Sequence, residues 1–192
     1  DDRELYTWLS SRFKRAGKSI SRDVADQLKF RAGTDLTRLD GEADKLIAHA
    51  GERGEILPED LDVVTPTLEC TIFQLIDDLV AHNGAGAYRR LAIMHDGGED
   101  DVRVLAMITR QMRFMAHIKL MQAKRVRDDE IIKALGINPY GLRNTRRQLG
   151  AFTEERLERA YRDCVDAEYA IKSGAMSDEE ALGRLMLNWL NS

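Results

Sequence analysis

The chain has 192 residues, enough for one domain or two small ones, and its 43% hydrophobic and 32% charged residues are typical of a globular protein. No apolar run approaches the roughly 20 residues of a membrane-spanning helix, so a membrane protein is not expected. The charged N-terminus argues against a signal peptide, and the absence of an initiator Met suggests a fragment or a processed chain.

Charge is unevenly distributed along the chain, although the formal net charge is only -4. Residues 102–149 contain 11 Lys or Arg and three acidic residues, so this segment is strongly basic and the remainder is acidic. A basic segment can meet nucleic acid, or it can meet an acidic surface on the same chain or on a neighbour. Charge alone leaves these alternatives open.

The first 66 residues predict a small three-helix bundle. Helices are expected over residues 2–15, after a cap at Ser19 or Ser21, and after a cap at Thr34. The side chains expected in its core are Leu5, Trp8, Leu9, Phe13, Val24, Ala25, Leu28, Leu36, Leu39, Ala43, Leu46 and Ile47. Glycines and prolines punctuate residues 51–66, which predicts a domain boundary there. Only three prolines occur and strand patterns are nearly absent, so the fold class is predicted to be all-α.

The rest of the chain predicts a larger helical bundle. A helix containing Phe73 and Ile76 is expected to end at the glycine-rich residues 83–86. The next helix is expected to face inward with Tyr88, Leu91, Ala92 and His95. A long helix over about residues 101–124 is apolar almost all round, which predicts the central helix of a bundle. Four basic residues and one histidine fall on one narrow stripe of this helix: Arg103, Arg110, Arg113, His117 and Lys124. Caps at Thr153 and Ser177 begin the last two helices.

Residues 130–149 predict a short helix, a tight turn and a second helix. Gly136 suits a left-handed helix end, Asn138 can cap the second helix, and Pro139 suits its first position. One interpretation is a helix-turn-helix regulator that contacts DNA through residues 138–149. The DNA-contacting side chains would then be Arg143, Arg146 and Arg147. The other interpretation is a helical corner inside the larger bundle.

Catalytic and metal-binding patterns are weak or incomplete. Gly17-Lys18-Ser19 resembles the end of a phosphate-binding loop, but the first glycine of that motif and the preceding strand are missing. The four histidines are scattered, so no metal site is predicted. No nucleophile and base can be paired. We therefore expect no enzyme activity and no cofactor, and two lone cysteines favour a reducing, cytoplasmic location.

Five short segments together carry a family resemblance. They are residues 33–36, 72–77, 109–113, 135–140 and 166–174, and their order and spacing are more specific than any one of them. The chain resembles the delta subunit of the bacterial DNA polymerase III clamp loader, over nearly its whole length. The resemblance implies that residues 1–66 are the three-helix lid of an AAA+ module. It implies that residues 67–192 are the helical collar domain.

The resemblance also implies a role. Collar domains join clamp-loader subunits into a hetero-pentameric ring, and the delta subunit is not a catalytic ATPase. The sliding clamp would be bound through an N-terminal domain outside this chain, and DNA would be contacted only indirectly. The residues at family-motif or interface positions are Arg110, Arg113, Tyr140 and Lys172. The function implied is a non-catalytic assembly module of the replicative clamp loader.

Overall fold

The computed structural model describes residues 2–191 and contains two compact units. The N-terminal unit extends to Cys70, and the C-terminal unit begins at Thr71. The sequence-based boundary was placed four residues earlier, at residue 66. Each unit is mainly helical, so the predicted all-α fold class is confirmed. The lid and collar assignments of residues 1–66 and 67–192 stay predictions.

Three helices build the N-terminal unit. They are α1 (Asp2–Arg15), α2 (Arg22–Ala32) and α3 (Leu36–Ala50). Leu9, Phe13, Leu28 and Leu46 are fully buried at their centre. Ser21 caps α2, because its side chain accepts a hydrogen bond from the Val24 N–H. The predicted three-helix bundle is therefore confirmed in its helices and in most of its core.

Two details of α3 were predicted wrongly. Its cap is Asp35 and not Thr34, because the Asp35 carboxylate accepts from the Arg38 N–H at 2.8 Å. Leu36 was expected in the core but is 51% exposed. Moving the cap by one residue places Leu36 at the first helical position, on the turn that faces solvent.

A short parallel strand pair was not predicted. Strand β1 (Ser19–Ile20) pairs with β2 (Glu55–Ile56), and both isoleucines are buried. Two residues are too few to show the alternation by which a strand is identified in sequence. A 3₁₀ helix, Pro58–Val63, follows β2 and closes the unit over its core.

Within residues 2–191, seven helices belong mainly to the C-terminal unit, and the first of them begins three residues before its boundary. They are α4 (Leu68–Val80), α5 (Gly84–Asp96), α6 (Asp101–Ala123), α7 (Asp128–Leu135), α8 (Pro139–Leu149), α9 (Glu154–Lys172) and α10 (Asp178–Leu190). Helix α6 packs against α7, α8, α9 and α10, which confirms its predicted central position. Its buried face includes Val104, Ile108, Met112 and Met115. Thr153 and Ser177 cap α9 and α10 as predicted.

The region around α5 differs from the prediction. Helix α4 already ends at Val80, and residues 83–86 begin the next helix, because Asn83 caps α5 and the glycines lie in its first turn. A Cβ on Gly86 would fall 2.5 Å from the Asp78 carboxylate and closer still to the Asn83 amide, so a larger residue there would displace these two side chains. Tyr88, Ala92 and His95 are exposed rather than inward, and the helix buries Ala87 and Met94 instead. Apolar residues occur all round α5, so helical periodicity could not select its buried face.

Within residues 2–191, no helix combines the length and the apolar character required to cross a membrane.

Candidate functional site

The helix-turn-helix segment has the geometry that its sequence predicts. Helix α7 ends at Gly136, which adopts the left-handed conformation with φ 64° and ψ 30°. The Asn138 side chain accepts from the Gly141 N–H at 2.6 Å and caps α8, and Pro139 occupies its first position. Ile131 and Leu142 pack together on Ile118 of α6. The pair of helices is thus a corner docked on the central helix.

Two of the three arginines proposed for DNA contact are held by carboxylates of this chain. Arg146 donates to both oxygens of Asp128, at 2.7 and 2.6 Å, and ties α8 to the start of α7. This hydrogen bonding lowers the pKa of Asp128 below its usual value. Arg147 donates to Asp77 of α4 at 2.6 Å. The Arg143 guanidinium lies 4.7 Å from the centre of the Tyr140 ring.

A buried polar network lies under α8 and connects it to α4 and α6. The Gln148 amide donates to the Phe73 carbonyl and to Asp77, each at 2.8 Å. Gln111 of α6 donates to the Gln148 carbonyl oxygen at 3.0 Å and to the Thr145 hydroxyl at 3.2 Å. This network fixes the position of α8. A shift of the helix would leave buried amide groups without hydrogen-bond partners, which costs free energy.

Sequence reasoning missed this network as a unit. Asp77 and Gln111 belong to two of the segments that carry the family resemblance, so a signal for them was present. Thr145 and Gln148 carried none, since they are ordinary polar residues on a helix. Only their spacing of three residues, on the same face as Leu142, could have indicated burial.

Arg110 and Arg113 lie on the open face of α6. This face, the basic stripe, runs along α6 as Arg103, Arg110, Arg113, His117 and Lys124, with exposed Leu120 among them. Arg110 is half-buried, with its guanidinium 4.9 Å from the centre of the Phe114 ring. Arg113, His117 and Lys124 are exposed. The stripe therefore presents cations beside apolar surface, which suits an acidic partner.

Tyr140 and Lys172 lie at opposite ends of the C-terminal unit. Leu142 packs on Ile118 and Gln148 meets Gln111, so α8 runs antiparallel to α6 and Tyr140 lies near the end of α6. Helix α9 is also antiparallel, because Lys119 pairs with Glu154 at 3.7 Å. Lys172, at the far end of α9, is about 25 Å from Tyr140 along this axis at 1.5 Å per residue. The four family-motif positions do not form one site.

The phosphate-loop-like segment is a turn between helices. Gly17 adopts a positive φ of 72°, and the Lys18 amine donates to the carbonyls of Gly51 and Arg53. Lysine in a working phosphate-binding loop points at the nucleotide. In this chain, the Lys18 hydrogen bonds connect the turn after α1 to the turn after α3.

The two cysteines are buried and lie apart from any metal-holding group within residues 2–191. Cys70 and Cys164 are both buried, and neither forms a disulfide. Burial raises the pKa of the Cys164 thiol to about 12, although the Thr109 hydroxyl opposes this by hydrogen bonding. In this described range, no group of three or more His, Cys, Asp and Glu side chains is arranged to hold a metal ion.

Comparison with known proteins identifies relatives of the chain. The family described as "DNA polymerase III delta subunit, C-terminal domain" matches residues 69–189. DNA polymerase III subunit delta of Bacillus subtilis is 25% identical over 171 residues, which are 88% of this chain and 49% of that protein. The structure of a Bacillus subtilis DNA clamp loader delta protein aligns with all of this chain and 57% of its own. The TM-score is 0.76 at 22% identity, so the fold is shared.

Proposed function

The chain belongs to the DNA polymerase III delta subunit family, and from this premise we propose that it is a non-catalytic assembly module of a replicative clamp loader. In this role it joins other loader subunits through its C-terminal unit and so supports loading of the sliding clamp. The match of residues 69–189 to the family's C-terminal domain carries the proposal. The chain spans about half the length of its curated relative.

Within this proposal, residues 1–66 are an AAA+ lid and residues 67–192 are the collar. Two separate helical cores support the division. The collar takes part in a hetero-pentameric ring, and the sliding clamp is contacted through a part of the delta subunit outside this chain. A cytoplasmic location belongs to the same proposal.

The basic stripe of α6 is the first candidate for a subunit contact. Arg113, His117 and Lys124 are exposed, and no acidic residue lies along α6 between Arg103 and Lys124. Arg103, at one end of the stripe, pairs with Glu99 at 2.9 Å. A neighbouring subunit with an acidic helix face would fit the stripe. Arg110, Tyr140 and Lys172 are retained as family-motif positions; Arg110 belongs to the stripe, and the other two lie outside it.

We give the DNA-binding alternative less weight. Arg146 and Arg147 are bound by carboxylates of this chain, and breaking those ion pairs would oppose binding to phosphate. The relatives described above are delta proteins and none is a transcription regulator. No structural feature of residues 138–149 favours DNA over a protein neighbour.

Co-purification tests the assembly role. The tagged chain, co-expressed with the other clamp-loader subunits of its organism, is expected to retain them through affinity and size-exclusion steps. Arg113→Glu is expected to reduce retention at least tenfold, while Lys133→Glu, an exposed charge reversal on α7, leaves it unchanged. Failure of the folded chain to join any loader subunit would refute the proposal.

Two negative results are expected of the chain by itself. It should not hydrolyse ATP above the background of a protein-free control, because Lys18 is held by backbone carbonyls. It should not bind the sliding clamp tightly in surface plasmon resonance. Tight clamp binding by the 192-residue chain would overturn the lid and collar interpretation.

A further inference from the structure

A groove lies between α5 and α10 and is separate from the basic stripe. Its lining residues are Tyr88, Leu91, His95, Asp101, Glu179, Glu180, Leu182, Gly183, Arg184, Leu187 and Asn188. The α10 residues that line the groove run from Glu179 to Asn188, about 14 Å of helix at 1.5 Å per residue. It belongs entirely to the C-terminal unit.

The groove leaves large apolar side chains in solvent. Tyr88 is 46% exposed and Leu187 is 51% exposed, and half-buried Leu91 lies beside Tyr88 on α5. Gly183 of α10 also lines the groove, and a Cβ built there meets no atom within 4 Å. The missing side chain therefore keeps the groove open, and an added one would enter it without disturbing the fold.

The charge of the groove differs from that of the basic stripe. Asp101, Glu179 and Glu180 contribute three carboxylates, against the single guanidinium of Arg184. His95 lies 2.6 Å from Asp101 and partly satisfies that carboxylate. The N–H and hydroxyl of Ser177 donate to Glu180 and lower its pKa, so it stays ionised at neutral pH. Such a rim repels nucleic acid phosphates and attracts cations.

We propose that this groove binds an amphipathic helix of a neighbouring protein subunit, with basic residues beside its apolar face. Apolar residues of that helix at i, i+3 or i+4, and i+7 would pack on Tyr88, Leu91 and Leu187. Its Lys or Arg residues would meet Glu179 and Glu180. That the helix comes from another clamp-loader subunit rests on the proposed assembly role. It gives the C-terminal unit an acidic contact surface in addition to the basic stripe.

Substitution at Gly183 gives the sharpest test. Gly183→Arg places bulk and positive charge in the groove, and Leu187→Lys removes an apolar contact and repels a basic helix. Gly41→Arg is the matched control, because Gly41, like Gly183, lies inside a helix with no atom near an added Cβ. Circular dichroism melts establish that all three variants are folded.

Binding is measured between the 192-residue chain and the co-expressed clamp-loader subunits. Gly183→Arg and Leu187→Lys are each expected to raise the apparent Kd at least tenfold, and Gly41→Arg less than twofold. Equal binding by Gly183→Arg and the unmodified chain would overturn the groove proposal and leave the assembly role standing. Absence of binding by the unmodified chain would overturn both.

Photo-crosslinking identifies the occupant. A benzoylphenylalanine at position 187 is expected to crosslink to a basic, amphipathic helical peptide of another subunit. A crosslink to a second copy of this chain, to DNA or to an acidic peptide would overturn the proposal. So would the absence of any crosslink in a complex that still forms.

Discussion

Gln148 is polar yet only 4% exposed, and it organises the interior of the C-terminal unit. Its amide satisfies the Phe73 carbonyl and Asp77, and its carbonyl oxygen accepts from Gln111. Asp77 also accepts a hydrogen bond from the exposed Arg147 side chain. One side chain thus links three helices, and the resulting network positions α8 by hydrogen bonding as well as by packing.

Gln148→Leu is expected to destabilise the C-terminal unit by about 2 kcal/mol, since it leaves buried donors and acceptors without partners. Urea unfolding followed by Trp189 fluorescence, in a Trp8→Phe background, measures the effect. Gln122→Leu, at an exposed position near the end of α6, is the control and should change stability by less than about 0.5 kcal/mol. Equal stability of the two variants would show that the network contributes nothing.

Asp60 is the corresponding buried polar residue of the N-terminal unit, where it is 2% exposed. Burial by itself would raise the pKa of its carboxyl group. Hydrogen bonds from the Leu57 N–H, at 2.7 Å, and from Arg53 outweigh burial, so the pKa is lowered. The carboxylate therefore stabilises the 3₁₀ helix and its junction with β2.

The sign of the pH dependence follows from this lowered pKa. The stabilisation is fully present above the unfolded-state pKa of about 3.9 and is lost as the pH falls through the folded-state value. Asp60→Asn should lower stability by about 1 to 2 kcal/mol at pH 7 and flatten its fall between about pH 5 and 3. Trp8 fluorescence in a Trp189→Phe background reports this unit. An unchanged pH slope in Asp60→Asn would contradict the assignment.

At the scale of elements, the corner between α7 and α8 is held from three sides. Gly136 ends α7 in the left-handed conformation, and the Arg146–Asp128 ion pair joins α8 to α7. Ile131 and Leu142 pack both helices against α6. The same arginine that suggested DNA contact thus stabilises the corner. The helix-turn-helix pattern is real as geometry, but here its second helix is a packed part of the bundle.

Two glycine substitutions separate backbone strain from helix propensity. Gly136→Ala should cost about 1 kcal/mol, because its positive φ disfavours a Cβ even though no atom obstructs one. Gly183→Ala, inside α10 with open space around it, should instead stabilise by about 0.5 to 1 kcal/mol. Thermal melts of both variants should shift in opposite directions. A stabilising Gly136→Ala would refute the left-handed turn.

At the scale of the whole molecule, each unit has its own hydrophobic core. The N-terminal core joins Leu9, Phe13, Leu28 and Leu46, and the C-terminal unit packs around α6. Separate cores are what a lid and a collar require, although cores alone do not assign those roles. The partner-binding surfaces proposed here, the basic stripe and the α5–α10 groove, both belong to the C-terminal unit.

Expression of residues 67–192 alone tests this organisation. The fragment keeps α4 whole and is expected to unfold cooperatively and to retain the loader subunits. Residues 1–66 should fold marginally, as expected for about 60 residues, and should not retain them. Circular dichroism and co-purification measure both properties. Binding by residues 1–66 alone would move the interface out of the proposed collar.

Much of this protein was determined by local sequence. Helix caps such as Ser21, Asn138 and Ser177, and the stop at Gly136, act within a few residues, so the helices, the all-α class and the central α6 followed from pattern alone. The order of short motifs along the chain was sufficient to indicate the family. These features depend on neighbours in sequence, and the sequence displays them directly.

The tertiary structure decided which surfaces meet. Three features depend on residues that are distant in sequence: the buried face of α5, the β1–β2 pair and the burial of Gln148. The spacing of apolar residues along one helix or strand does not indicate such contacts. The arginines of α8 show the physical reason most clearly. Their charge predicted a ligand, but a carboxylate from α4 or α7 lies within hydrogen-bonding distance of two of them. Only the folded chain places those opposite charges together.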